Sequence, residues 1–394
     1  MTIGSTDLLA YVTLPSDLGD PVQGPIVTGT PEQVLLTGAT GYLGVYLLTE
    51  LLARSTARVV CLVRAADAAA GLERIRKGLE QFELEADLSR VTVVTGSVER
   101  PRLGLDEQAW QALARSVDVI VHAAANVNFM PPLDRLWPVN VGGTLNLLRL
   151  AGDARLKPLH LVSSYSVFND AAYAGVATVT EEPLAGEGRG FRRGYPMSKW
   201  IAERVGDLAR DRGWNVTTHR LGLLWGDART GRSKADDVLT MNLQACLELG
   251  LAQDIDFLMH VTPVDFAAAA VASVALAPVH ANRHYHAITE DPINWRDLVA
   301  WMQRDGHMLE LVPPMDWYNS LCAALPVHRE WTSLALLVAQ DPARSFWSDA
   351  NIFSMQFDAS RLRAALEGTG VVCPPLDDRL VGTYVNAIAG ATPI

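Results

Sequence analysis

Short apolar runs alternate with helical patterns from residue 32 to residue 225, and that alternation narrows the fold more than any other feature. The apolar runs are EQVLLTG, ARVVCLVR, RVTVVTG, VDVIVHAA, PLHLVSS and WNVTTHRLGLLWG. Between them lie YLGVYLLTELLA, AAAGLERIRKGLEQF, DEQAWQALARS, NVGGTLNLLRLAG and a segment after Tyr195, all with helical spacing. Strand and helix in strict turn predict a parallel sheet covered by helices on both faces. The alternation breaks near residue 226. A helix is expected over ADDVLTMNLQACLELG, segment 259–289 reads as a return to the sheet, and the tail from 291 is mainly helical. Ahead of the first strand, Pro15, Pro21, Pro25 and Pro31 punctuate a stretch with little periodicity. It reads as an extended leader or linker, or as an arm wrapped over the surface.

Composition removes several classes. A formal charge of −11 over 394 residues argues against non-specific nucleic-acid binding. The four cysteines (Cys61, Cys246, Cys322, Cys373) show no metal-ligand spacing, so no metal is expected, and they suit a reducing, cytoplasmic setting. The most apolar run, FAAAAVASVALA at 266–277, is too short to span a bilayer and reads as a buried helix.

The stretch LLTGATGYLG joins the first strand to the first helix and places Gly38, Gly41 and Gly44 in the turn. Glycine lets the backbone turn tightly, approach a pyrophosphate and pack helix on strand, with the helix N-terminus facing the anion. Thr37, Tyr42 and Leu43 belong to the same cradle. The expectation is therefore an α/β, Rossmann-type, doubly wound parallel sheet with a smaller, mainly helical C-terminal substrate domain. Its parts are a leader (1–31), a dinucleotide domain (32–225 plus 256–290) and a helical domain (226–255 plus 291–394). Strand two ends at Arg64, where enzymes that prefer NAD usually place a carboxylate, and an arginine there suits the 2′-phosphate of NADPH. Arg74 stands near enough to assist, and Asp67 lies just beyond the strand. Ser97 and Val98, after strand three, are expected near the adenine. Ala123, Ala124 and Ala125, after strand four, leave room for the cofactor at the sheet edge. His122 reads as structural.

GYPMSKW contains Tyr195, Pro196 and Lys199. Proline is tolerated at the first turn of a helix, so Tyr195 marks the helix entry. Lys199, four residues on, shares its face. An ammonium beside a phenol is expected to lower the phenol's pKa and make it a better acid near neutral pH. Ser163, Ser164 and Ser166 follow strand five, and Ser164 is the candidate to donate to the reacting oxygen. The loop EEPLAGEGRGFRRG (181–194) reads as a basic lip through Arg189, Arg192 and Arg193, or as an ordinary solvated loop. Trp295, Trp301, Trp317, Trp331 and Trp347 read as core, with an acyl pocket as the alternative.

Taken together, TGATGYLG, HAAA, NVGGT, the strand-five serines and YxxxK resemble an extended short-chain dehydrogenase/reductase. VIVHAAANVNFMPPLDRLWPVNVGGT, GYPMSKWIAERV and HRLGLLWGDARTG narrow the resemblance to terminal thioester reductase domains of nonribosomal peptide synthetases, polyketide synthases and carboxylic acid reductases. The match runs from about residue 33 to about residue 290. The resemblance implies NADPH as cofactor and an upstream acyl or peptidyl carrier protein with a phosphopantetheine arm. It implies reductive release of the bound thioester as an aldehyde, or as an alcohol after a second round. It assigns Ser164, Tyr195 and Lys199 to catalysis, Lys199 also to the cofactor ribose, and Asn140 to bracing the active-site helix. Three positions depart from the family pattern: Ser164 replaces threonine, Ser97 replaces aspartate, and RLG (Arg220, Leu221, Gly222) replaces RPG. The alternatives left open are another extended reductase or epimerase acting on acyl-CoA or a sugar nucleotide, and a redox-sensing regulator without chemistry.

Overall fold

The computed structural model describes residues 7–22, 29–340 and 351–391. Its centre is a seven-stranded sheet of β1 (Gln33–Thr37), β2 (Arg58–Val63), β3 (Val91–Thr95), β4 (Val119–His122), β5 (Leu159–Ser164), β6 (Val216–Leu221) and β7 (His284–Ala287). The spatial order is β3-β2-β1-β4-β5-β6-β7 and every pairing is parallel. The order reverses between β1 and β4, and such a switch point opens a crevice at the carboxyl ends of the strands.

The strands are apolar on both sides because helices cover both faces. In β1, Val34 and Leu36 join a core with α1 (Tyr42–Arg54), α2 (Ala68–Gln81) and the alanine-rich α8 (Val264–Ala275). Leu35 joins the opposite core with α3 (Glu107–Ser116), α5 (Gly142–Gly152) and α6 (Gly194–Asp211). Side chains one residue apart on a strand point to opposite faces, so a strand between two helix layers must be continuously hydrophobic. The expected fold class is present.

Two local expectations fail. WNVTTHRLGLLWG is not one strand. It breaks at Gly222, and Leu223–Trp225 leaves the sheet to pair with Val261–Pro263. A Cβ at Gly222 would sit 2.5 Å from Thr262 Oγ1 and 2.6 Å from the His260 carbonyl, so the crossing needs a residue without one. Nor does the helix near Asn140 begin there. α4 (Leu133–Asn140) precedes it with Pro138 inside, and α5 follows directly after Val141. The return segment 259–289 supplies the short strand, α8 and β7 in turn.

The helical region comprises α7 (Val238–Leu249), α9 (Trp295–Arg304), α10 (Pro314–Ala324), α11 (Thr332–Val338), α12 (Ser360–Ala365) and α13 (Asp378–Ala391). Trp295, Trp301, Trp317 and Trp331 are buried in its core, while Trp347 lies outside the described residues. Among the described residues no helix is long and apolar enough to cross a membrane, and no cluster of side chains could hold a metal ion.

Residues 7–22 lie along the outer helices. Leu8 is fully buried, and a Cβ at Gly188 would meet its Cβ at 2.7 Å and Trp200 of α6 at 2.9 Å. Asp17 accepts two hydrogen bonds from Arg149, the Val22 amide donates to the Gly152 carbonyl, and Tyr11 packs edge-on to Trp137. Leu8→Ala should weaken this attachment by about 2–5 kcal/mol, the usual range for a buried leucine. Limited proteolysis within residues 7–22 should then accelerate, and an unchanged cleavage rate would show that Leu8 does not hold the arm.

Candidate active site

The crevice edge is built by the turn between β1 and α1. Gly38 has φ 82°, and a Cβ there would lie 2.7 Å from the Ala124 amide nitrogen. A Cβ at Gly44 would lie 1.9 Å from the Gly38 carbonyl oxygen. These two positions therefore admit only glycine, and the backbone is drawn close at the mouth of the sheet. Gly41 is the N-cap of α1 and no side chain caps the helix. Its first amides and the positive end of its dipole are left to meet an anion. A dinucleotide pyrophosphate fits this cradle.

The neighbouring side chains have defined tasks. Thr37 Oγ1 bonds to His122 Nδ1 at 2.8 Å and accepts from the Ala124 amide at 3.3 Å, so Thr37 joins β1 to the exit of β4. Burial and the Lys199 ammonium push the His122 imidazole down to about 3, which leaves it neutral. Tyr42 offers the turn only its main chain, because its hydroxyl donates to the Trp225 carbonyl at 2.5 Å and its ring packs on Tyr46 and Phe82. Leu43 is half-buried against the α1–α2 core. At the exit of β2, Arg64 and Arg74 are both exposed, and an Arg74 guanidinium nitrogen donates to the Arg64 carbonyl. Asp67 accepts from the Ala70 amide at 2.8 Å as the N-cap of α2. Ser97 is buried, its hydroxyl toward Glu99 and its amide on the Leu103 carbonyl, and the Val98 carbonyl accepts from Asn146. Ala123, Ala124 and Ala125 are half-buried where β4 ends.

Asn140 joins the end of α4 to the catalytic helix. Its Oδ1 accepts from the Asn126 amide at 2.8 Å, and its Nδ2 donates to the Asn126 carbonyl and to Ser198 Oγ at 2.8 Å. Ser198 in turn donates to the Tyr195 carbonyl at 2.7 Å.

Ser164, Tyr195 and Lys199 come together where β5 meets α6, and all three are buried. Ser164 is the side chain that acts on the Tyr195 phenol. Lys199 Nζ donates to the Val162 carbonyl at 2.6 Å. The expected effect of the lysine on the tyrosine is corrected here. Burial pushes the phenol up to about 12, and the group that opposes the rise is Ser164, not Lys199. Lys199 shares the helical face of Tyr195, yet its ammonium donates to the Val162 carbonyl and does not figure among the groups that act on the phenol. Burial also brings Lys199 down to about 8, against the pull of the Glu203 carboxylate. The arrangement thus holds a protonated phenol, a hydroxyl beside it and a cation whose charge is easily changed.

Two neighbours went unnoticed in the sequence. The Phe129 ring packs edge-on to Tyr195 with centroids 5.0 Å apart, and no pattern announced it. Glu203 follows Lys199 by one helical turn, a spacing that could have flagged it. It is fully buried and paired with fully buried Arg220 of β6. The loop at 181–194 is anchored rather than free: Leu184 and Phe191 are buried and the Gly188 amide donates to Asp170 at 2.7 Å. Arg189 is exposed and pairs with Glu187.

Comparison with known proteins gives one family. The family model described as Male sterility protein, an NAD-binding domain, matches residues 36–271. The chain is 37% identical over 369 residues to a linear gramicidin synthase polypeptide of Brevibacillus parabrevis, covering 92% of this chain and 7% of that protein. It is 36% identical over 385 residues to the isonitrile lipopeptide synthase of Streptomyces coeruleorubidus, covering 96% of this chain and 26% of that one. The chain therefore spans a small part of the curated relatives it matches. The crystal structure of the terminal R domain from the myxalamid PKS-NRPS biosynthetic pathway superposes with a TM-score of 0.89 at 34% identity, covering 97% of both chains.

The Lys199 amine should titrate with a midpoint of about 8, well below an ordinary lysine. NMR of the lysine ε-carbon, assigned by its loss in Lys199→Met, reads this directly. Glu203→Gln removes a neighbouring negative charge and should move the midpoint further down. A midpoint in the ordinary lysine range would contradict the burial described here.

Proposed function

The chain belongs to the terminal reductase domains of nonribosomal peptide and polyketide synthases, within the Male sterility protein family of NAD-binding domains, and from that membership we propose that it releases a carrier-bound acyl or peptidyl thioester by NADPH-dependent reduction to an aldehyde. The observation that carries the reading is that Ser164 and Tyr195 are buried together where β5 meets α6, beside the glycine cradle and the uncapped end of α1.

When bound, the dinucleotide supplies a hydride to the thioester carbonyl carbon. The glycine turn and the α1 amides hold its pyrophosphate, and Lys199 holds the nicotinamide ribose. Arg64 and Arg74 receive the 2′-phosphate that distinguishes NADPH. In support, both guanidiniums stand at the exit of β2, and the nearby acid Asp67 is engaged as a helix cap. Ser164 and Tyr195 donate hydrogen bonds to the carbonyl oxygen as negative charge grows on it. Tyr195 gives that oxygen its proton, which makes a hemithioacetal. When the carbon–sulfur bond breaks, the hydroxyl proton returns to the Tyr195 oxygen, the aldehyde leaves, and the pantetheine thiolate takes a proton from water. A second round would carry the aldehyde to the alcohol.

Residues 32–225 plus 256–290 serve as the dinucleotide domain, and residues 226–255 plus 291–394 as the part that receives the acyl arm and the carrier protein. The carrier is upstream and presents a phosphopantetheine arm, whose phosphate suits the arginines of the 181–194 loop.

Tyr195→Phe should bind NADPH, read by fluorescence, within about twofold of the parent while turnover of an acyl-pantetheine thioester falls by at least about a hundredfold. Unchanged turnover would remove the tyrosine from the chemistry. Acyl-CoA and sugar nucleotides run in the same assay separate the other superfamily activities. Replacing Arg64 and Arg74 by serine should lower the ratio of kcat/KM for NADPH over NADH by roughly ten- to a hundredfold, the scale of a lost charge-assisted phosphate contact. A ratio left as it was would place the 2′-phosphate elsewhere.

A further inference from the structure

We propose that Glu203 is a positioning residue: by holding Ser163 it fixes the end of β5 against α6 and so sets the placement of Ser164 relative to Tyr195. The inference rests on the reductase reading above. Helix α6 is tied to β5 at three points. The Tyr195 phenol meets the Ser164 side chain, Lys199 Nζ donates to the Val162 carbonyl at 2.6 Å, and Ser163 Oγ donates to Glu203 Oε2 at 2.8 Å. The helix contacts therefore fall on consecutive residues of one strand end, and the residue Glu203 holds is the immediate neighbour of Ser164.

Glu203 is itself immobilised. Its Oε1 accepts from Arg220 Nε at 2.9 Å and Nη2 at 2.5 Å, and His284 Nδ1 stands 3.5 Å away. Arg220 is fixed in turn by the Glu182 carbonyl at 2.8 Å, by His286 at 3.1 Å and by the Phe168 ring. Two guanidinium donors on Oε1 hold that oxygen in place and leave Oε2 as the acceptor for Ser163. Glu203 and Arg220 are both fully buried. A buried pair of this kind contributes little to net stability relative to an apolar pair, and its firmer consequence is a fixed geometry. Tyr195 lies eight residues before Glu203, about 12 Å along the axis at 1.5 Å per residue. A small shift of the strand end against the helix therefore acts directly on the two reacting hydroxyls.

Ser163→Ala tests this while leaving the Glu203–Arg220 pair whole. Turnover of an acyl-pantetheine thioester should fall by about tenfold or more, with KM for NADPH within about twofold and Tm nearly unchanged, because small misplacements of reacting groups are costly. Amide hydrogen exchange across residues 162–166 should quicken without substrate or cofactor. Ser163→Thr, which keeps the hydroxyl, should restore most of the turnover. Parental turnover and parental exchange in Ser163→Ala would overturn the inference. A loss of turnover matched by equal losses of NADPH affinity and Tm would overturn it too, since that pattern is general unfolding. If the parent protein does not reduce the thioester, the reductase reading fails on its own, and the exchange measurement still decides whether Glu203 holds the strand end.

Discussion

Helix α6 is a polar segment that has to be buried. It carries Lys199, Glu203 and Asp207 into the interior, and each needs a partner there, because an uncompensated buried charge costs several kcal/mol. Lys199 takes the Val162 carbonyl, Glu203 takes Arg220, and Asp207 takes Arg210 and His284. The partners lie on β5, β6 and β7 as well as on α6 itself. The charges of one helix therefore dictate how it is seated on three strands. Tyr195 stands at the start of this helix, so its placement against β5 follows from satisfying buried charge.

The opposite end of the crevice is fixed by a different means. Around Gly38 and Gly44 the constraint is space: α1 approaches β1 so closely that a methyl group cannot enter. Close approach leaves the α1 amides uncapped at the sheet edge, and Thr37 binds that edge to β4 through His122. One half of the site is thus held by shape and the other by electrostatics. Asn140 joins them, since it bonds both to the loop after β4 and to Ser198 beneath Tyr195.

What was legible in the sequence follows from range. Strand and helix periods are local, and so the sheet, its helices and the glycine turn could be read directly. The break at Gly222 is not local, because Thr262 and His260 create it from about forty residues away in the chain. The role of Arg220 was hidden for the same reason. In the sequence it looks like one letter of a loop motif, yet it sits wholly inside the sheet as the counter-ion of Glu203. Spacing sets Tyr195 and Lys199 on a shared face, and the glycine turn, the strand-five serines and the family resemblance single them out. The acceptor of the ammonium, the Val162 carbonyl, lies on another element and has no sequence signal.

That last point changes the account of the acid. A tyrosine activated by a neighbouring cation would be partly ionised near neutral pH and would lose the proton it has to give. Burial does the reverse, holding the phenol near 12 and therefore fully protonated. In the reaction proposed above, such a phenol is close in acidity to the hemithioacetal hydroxyl, so the proton can pass to the oxyanion and return when the carbon–sulfur bond breaks. Ser164 moderates the rise, and the same hydroxyl stands ready for the reacting oxygen. In the function proposed above, Lys199 serves the ribose and not the phenol. The phenol, kept protonated by burial, and the ammonium, directed at a strand carbonyl, are thus set apart on one face of α6.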